Sequence, residues 1–436
     1  MLIEGKVRLL VVGLSILLTL SIGIAYVLFL TSNIDVFPII ATLNIALIIN
    51  YLKNQTGSFF SPASIFFMFY WLMLVGRPLI YGLHLTDQDL VSASEYNLND
   101  VGLVNLIICM VLNLIGLFTV LIDFIILENF FIFPSFEIGH KGRALLLLIF
   151  FISGFMMLKD GIAGFKALSN SNYIELIENG ELVAFSQLSY TLLKWTWFLL
   201  FIAYPKHSII ICLTFIVFLC ALPMTGMRGY FIIYMLMVLV FLELRKKIKL
   251  KLKLLVPFIF ILLTVTTLLL EYRLGFKVTD GSFFDPFFNA IFSQGATYEV
   301  VYGAFTFNDK VSFIQNAIFP SIFGNPPFGT NIDILRGINN GVDEIGFATS
   351  AIAELISGGP IIAILYSSIL AFSLKILSIA NNSISKGNGS YFVIFFLAPI
   401  IWGQPRGSIV QFIVKFGFLL AIFVIVRVLK IKKIAF

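Results

Sequence analysis

The stretch LLVVGLSILLTLSIGIAYVLFLT, residues 9–31, carries no charged side chain. About 20 apolar residues are needed for a helix to cross the hydrocarbon core of a bilayer. The run from Leu9 to Ile34 is too long for the apolar part of a cleaved signal and lacks a clear small-residue cleavage site. It reads as a first membrane span. The same reading extends over most of the 436 residues, which are 59% hydrophobic and only 12% charged. A soluble domain carries about 25% charged residues. Helices satisfy their own backbone groups in lipid, so the expected class is an all-α polytopic membrane protein.

Length and low charge predict about twelve spans at ~20 residues each. They fall near 9–31, 35–52, 59–81, 101–122, 143–158, 188–205, 208–224, 229–244, 254–271, 359–378, 391–405 and 408–427. The fifth is short and the sixth carries Lys194. With the N-terminus inside, the inner loops hold Lys53, Lys141, Arg143, Lys206, the run Arg245 to Lys253, Lys386 and the tail from Arg427 to Lys433. The outer loops hold the acidic segments Asp87–Asp100 and Glu175–Glu181. That bias follows the positive-inside rule and predicts both termini in the cytoplasm. Three regions result: 1–270 with the first nine spans, a large outer loop over 271–344, and 345–436 with an outer or re-entrant helix followed by three spans. A loop of that length usually carries function.

The net charge of +6 lies mainly in the inner loops and does not suggest nucleic acid. Cys109, Cys212 and Cys220 sit in apolar stretches without metal-ligand spacing, so neither zinc nor disulfide chemistry is expected. There is no Gly-rich nucleotide loop, no HExxH and no paired-Asp motif, and no cofactor is expected.

Arginine placement carries the functional signal. Arg228 follows the break Pro223–Gly226, Arg273 begins the large loop, and Arg406 lies in Gly403-Gln404-Pro405-Arg406-Gly407-Ser408. A cation at a membrane boundary is often an anchor to headgroups. Arginine is also the side chain best matched to phosphate, being planar, permanently charged and bidentate. Arginines gathered on the outer side suggest a site for a lipid-linked phosphate. Lys415, seven residues after Ser408 and sharing a face with Ser408 and Gln411, is a further candidate, with a structural ion pair as the alternative. Glu354 shares a helical face with Ser350 and Ser357 ahead of Gly358-Gly359-Pro360, where the helix should break. It could position or deprotonate a sugar hydroxyl, or simply pair with an arginine. Gln294 and Glu299, in Ser293-Gln294-Gly295-Ala296-Thr297-Tyr298-Glu299, could bind sugar hydroxyls; an ordinary helix start capped by Ser293 is the alternative.

Four patterns together resemble the Wzy-type O-antigen (oligosaccharide repeat unit) polymerases. They are Thr225-Gly226-Met227-Arg228-Gly229, Ser293-Gln294-Gly295, the stretch Ile345–Glu354 with its following glycines, and Pro405-Arg406-Gly407. The resemblance implies a GT-C-like arrangement of spans in the bacterial inner membrane. It implies undecaprenyl-pyrophosphate-linked oligosaccharides as substrates, met at the periplasmic face, and growth by transfer of the glycan to a new lipid-linked unit. Arg228 and Arg406 would hold pyrophosphate, with Glu354 and Gln294 orienting the sugars. Membrane lipids are the remaining partners, and a chain-length regulator is left open. An oligosaccharide flippase and an O-antigen ligase are the alternatives. A flippase would not need so large a loop, and a ligase would be expected to carry a loop histidine that 271–344 lacks.

Overall fold

In the computed structural model, the described residues are 2–30, 36–85, 90, 98–124, 131, 133–170, 187–224, 228–248, 287–288, 291–292, 295, 297–306, 350–384, 388–429 and 433–435. Eight helical stretches among them are long and apolar enough to cross a membrane. Three shorter apolar helices, at 188–203, 229–244 and 389–402, occupy other expected spans. The expected span 254–271 lies outside the described residues. The chain is therefore a multi-pass helical membrane protein. It divides into two compact units.

The first unit comprises residues 1–131, 288–379 and 400–422. Helices α1 (Leu2–Leu30), α2 (Val36–Thr56) and α5 (Leu98–Leu121) pack on one another. Between α2 and α5 the chain runs through α3 (Pro62–Tyr70), a π-helical turn (Trp71–Val75) and α4 (Gly76–Gly82). Apolar packing gives little direction inside lipid, so buried polar side chains act as glue. Asn44 donates to Asn113 Oδ1 at 2.8 Å and to Ser21 Oγ at 2.9 Å, tying the three helices together. A second cluster joins Asp123 to Tyr51, Gln55 and Lys375, with the lysine Nζ 2.5 Å from the carboxylate.

Within the expected outer loop, α11 (Thr297–Thr306) is buried over residues 297–304 and packs against α5 and the π turn. The long helix α12 (Ala351–Asn382) breaks where expected. Gly359 has φ +77°, which favours glycine, and Pro360 follows it.

The second unit comprises 132–287, 380–399 and 423–436. It is built on α6 (His140–Asn170), α7 (Gln187–Ala203), α8 (Ser208–Leu219), α9 (Ala221–Met224) and α10 (Arg228–Leu244). Aromatic rings fill its interior. Trp197 stacks on Phe215 at 4.3 Å, and Phe198 on Phe395 at 4.4 Å. The fifth span is longer than the expected 143–158. Lys159, Asp160 and Lys166 interrupt the apolar run without ending the helix, which continues to Asn170.

The unit also adds a feature absent from an all-α reading. Strands β1 (Ser135–Glu137) and β2 (Lys433–Ala435) pair in parallel, Phe136 opposite Ile434. Asn388 completes the site as a strand would, accepting from Phe136 N at 2.6 Å and donating to Phe136 O at 2.7 Å. Three-residue strands are too short to show a period-2 pattern in sequence.

Candidate functional site

Helix α13 (Gly389–Trp402) has 14 residues. At 1.5 Å per residue it spans roughly 21 Å, short of the ~30 Å hydrocarbon core. The turn that follows, with a 3₁₀ segment over Gln404–Arg406, leads into α14 (Ile409–Val428). Trp402 anchors its near side: the indole Nε1 donates to Pro62 O at 2.7 Å, and the ring stacks on Phe69. The 3₁₀ segment packs against the π turn Trp71–Val75. Arg406 is thus carried at the middle of the Pro62–Gly82 stretch, roughly 10–15 Å short of its Gly82 end. There the Gly76 N–H reaches back to Trp71 O, one residue further than in an α-helix. Such π-bulges occur frequently at functional sites.

The turn is held from several sides. Arg406 N–H donates to Gly403 O and Gly407 N–H to Gln404 O, both at 3.0 Å. Tyr366 OH donates to Gln404 Oε1 at 3.4 Å. Two ties come from the start of α12, where Ser350 and Glu354 lie one turn apart. Ser350 Oγ donates to Pro405 O at 2.9 Å, and Glu354 Oε2 accepts from Ile409 N at 2.8 Å. Glu354 is 1% exposed. Ser408 occupies the position from which a serine ordinarily caps a helix, yet its buried hydroxyl has no partner. The cap of α14 is instead a carboxyl oxygen from another helix, which takes up one of the N–H groups left open at the helix start.

Arg406 itself is exposed, and among the described residues no carboxylate pairs with it. Protein packed around the guanidinium disfavours its charged form and draws its pKa below the ordinary arginine value. The side chain nevertheless keeps an exposed face. It remains charged near neutral pH. Further along α14, Gln411 and Lys415 are exposed while Ser408 is buried, so the polar face read from the sequence opens outward only at its later two members. Lys415 likewise has no carboxylate partner among the described residues.

The remaining candidates are placed differently. Glu299, at 4% exposure in the first turn of α11, forms a buried ion pair with Arg77. Arg77 also donates from Nε to Leu90 O at 2.9 Å and lies 4.2 Å above the Phe292 ring. Gly295 admits this arrangement, since a Cβ there would stand 2.4 Å from Arg77 Cβ. Gln294 and Arg273 lie outside the described residues. Arg228 opens α10 in the second unit, where its backbone alone is described.

The profile of the family described as O-antigen polysaccharide polymerase Wzy matches residues 11–436. The chain belongs to the Wzy O-antigen polysaccharide polymerase family. An O-antigen polymerase from Escherichia coli is 30% identical over 240 residues. That match covers 53% of this chain and 52% of the relative, so the aligned part spans about half of the relative's length. No solved structure matches the chain.

For this Wzy-family chain, two of the four sequence patterns meet in space: the Ile345–Glu354 stretch, through Ser350 and Glu354, ties the Pro405-Arg406-Gly407 turn. The sequence reading missed Arg77 as a partner of Glu299. The available signal was an arginine inside an apolar span, which needs a counter-charge. It also missed Asp123 and Lys375, since the two residues are 252 positions apart and nothing local links them.

Proposed function

We propose that this protein polymerises lipid-linked oligosaccharide repeat units at the periplasmic face of the bacterial inner membrane, with both termini in the cytoplasm and 254–271 as a further span of a GT-C-like bundle. The observation that carries the reading is the Arg406 turn: an exposed guanidinium with no carboxylate partner among the described residues, on a turn whose backbone is tied beside a π turn, in a chain of the Wzy family.

The donor is a glycan on undecaprenyl pyrophosphate. An acceptor hydroxyl at the nonreducing end of a second lipid-linked unit attacks the anomeric carbon. A carbon–oxygen bond forms there as the bond to pyrophosphate breaks, and the hydroxyl proton passes to water or to the released pyrophosphate. The donor is already activated, so neither a nucleotide nor a metal is required. Arg406 takes the developing negative charge, which grows as the bond breaks and is therefore bound more strongly in the transition state than in the ground state. Lys415, in the same unit, supplies further positive charge to the lipid pyrophosphate; Arg228 and Arg273 each bind lipid-linked phosphate in their own right. Gln294 contacts sugar hydroxyls, and Glu299, through its pair with Arg77, holds the first turn of α11.

The test is reconstitution. Purified protein in liposomes, given lipid-linked repeat units with a chelator and no nucleotide, should extend glycans to several units. Release of unmodified lipid-linked units to the opposite leaflet, without chain growth, would assign the protein to transport instead.

A further inference from the structure

We propose that Glu354 is a positioning residue that sets the Arg406 turn through the N-terminus of α14, and that it does not exchange a proton with the substrate. The inference rests on the polymerase reading above and deepens it by giving the buried carboxylate a different task.

Three observations lead there. Glu354 Oε2 accepts from Ile409 N at 2.8 Å, so this oxygen is engaged with backbone. The carboxylate is 1% exposed, out of reach of a sugar hydroxyl in this arrangement. The residue that ordinarily caps such a helix, Ser408, leaves its own hydroxyl unpartnered, so the orientation of the first turn of α14 depends on Glu354. Ser350 supplies the second tie from the same helix face, at Pro405 O. Pro405 and Ile409 bracket Arg406. With both ends of the bracket tied to the start of α12, the backbone that carries Arg406 is set before any ligand arrives. A site held in place loses less freedom on binding than one that must first be ordered. The break at Gly359 supports the same role. It separates the first turns of α12, which carry Glu354 and follow directly on Ser350, from the remainder of the helix.

Acid–base and positioning roles make opposite demands on the side chain. A base needs a titratable group; a cap needs only an acceptor oxygen at that spot. Glutamine keeps the acceptor and loses the proton chemistry. The experiment measures initial rates of glycan extension by the full-length protein in liposomes, against the concentration of lipid-linked donor, at equal amounts of folded protein. Glu354→Ala should raise KM for the donor by ~10-fold or more, while Glu354→Gln should stay within ~10-fold of wild type. Because Glu354 acts through Arg406, adding Glu354→Ala to Arg406→Ala should produce no further loss. Glu354→Gln as inactive as Glu354→Ala, with the loss in kcat, would overturn the proposal in favour of a base. Losses that multiply in the double variant would overturn it in favour of general structural damage. Should Glu354→Ala fail to accumulate, Ser350→Ala against Glu354→Gln carries the comparison: a raised KM in the first with activity kept in the second supports positioning, and the reverse pattern refutes it.

Failure of the underlying reading shows separately. No extension by wild-type protein removes the polymerase assignment. An Arg406→Ala variant with wild-type KM and kcat removes the arginine's role. Both are read with Glu354 intact.

Discussion

Arg77 and Glu299, 222 residues apart in sequence, form a buried ion pair between the stretch Pro62–Gly82 and helix α11. Both side chains are 6% exposed. Removing one member leaves the other charge buried without its counter-ion, which typically destabilises by about 3–5 kcal/mol. Glu299→Ala should therefore reduce the amount of folded protein in membranes and lower its melting temperature in detergent. Arg77→Met combined with Glu299→Leu should recover part of that loss, because no charge is left stranded. Equal loss in the single and double variants would show that the pair contributes through shape alone.

The corner of the second unit is held by close contact. A Cβ on Gly389 would lie 1.9 Å from Pro134 O, a backbone atom that cannot rotate away. Gly389→Ala should displace the chain beside Phe136, loosen the Asn388 bonds to it, and destabilise by roughly 1–3 kcal/mol or more. Limited proteolysis near residues 133–137, faster in the variant than in wild type, is the expected readout.

Much of this architecture is written in composition and hydropathy. Runs such as Val101–Leu121 have no other stable solution in lipid than a helix, so the spans are legible one at a time. Pairings between distant residues are not. Asp123 meets Lys375, and Glu354 meets Ile409, only once the helices are packed, and neither member carries a local signature of the other. The arginine candidates were legible as chemical anomalies, since a cation in an apolar setting needs a reason. The environments of arginines were not legible: Arg77, which was no candidate, and Arg406 both stand among apolar residues in sequence, yet the first is paired with Glu299 and the second stands without a carboxylate among the described residues. The length of α6 escaped because charged side chains near a helix end resemble a span boundary whether or not the helix stops there.

Lys415 separates structural from functional cations. It is exposed on an apolar helix, and Lys415→Leu removes no ion pair among the described residues. Folded protein should accumulate at wild-type level or above. If Lys415 serves the lipid pyrophosphate as proposed, glycan chains should nonetheless shorten, with a raised KM for the lipid-linked donor. Unchanged chain length at equal protein would remove Lys415 from the site.

Arg406→Lys and Arg406→Ala address the central claim most directly. A strain lacking this gene, complemented with each variant at matched membrane levels, is compared with wild type by its surface-glycan ladder on a gel. Lysine keeps charge but loses the planar, bidentate geometry, and loss of one donor to a developing anion commonly reduces rate by about 10²–10³. The account predicts a ladder collapsed to lipid A-core bearing a single repeat unit for Arg406→Ala, and a strongly shortened ladder for Arg406→Lys. A full-length ladder from Arg406→Ala would contradict it.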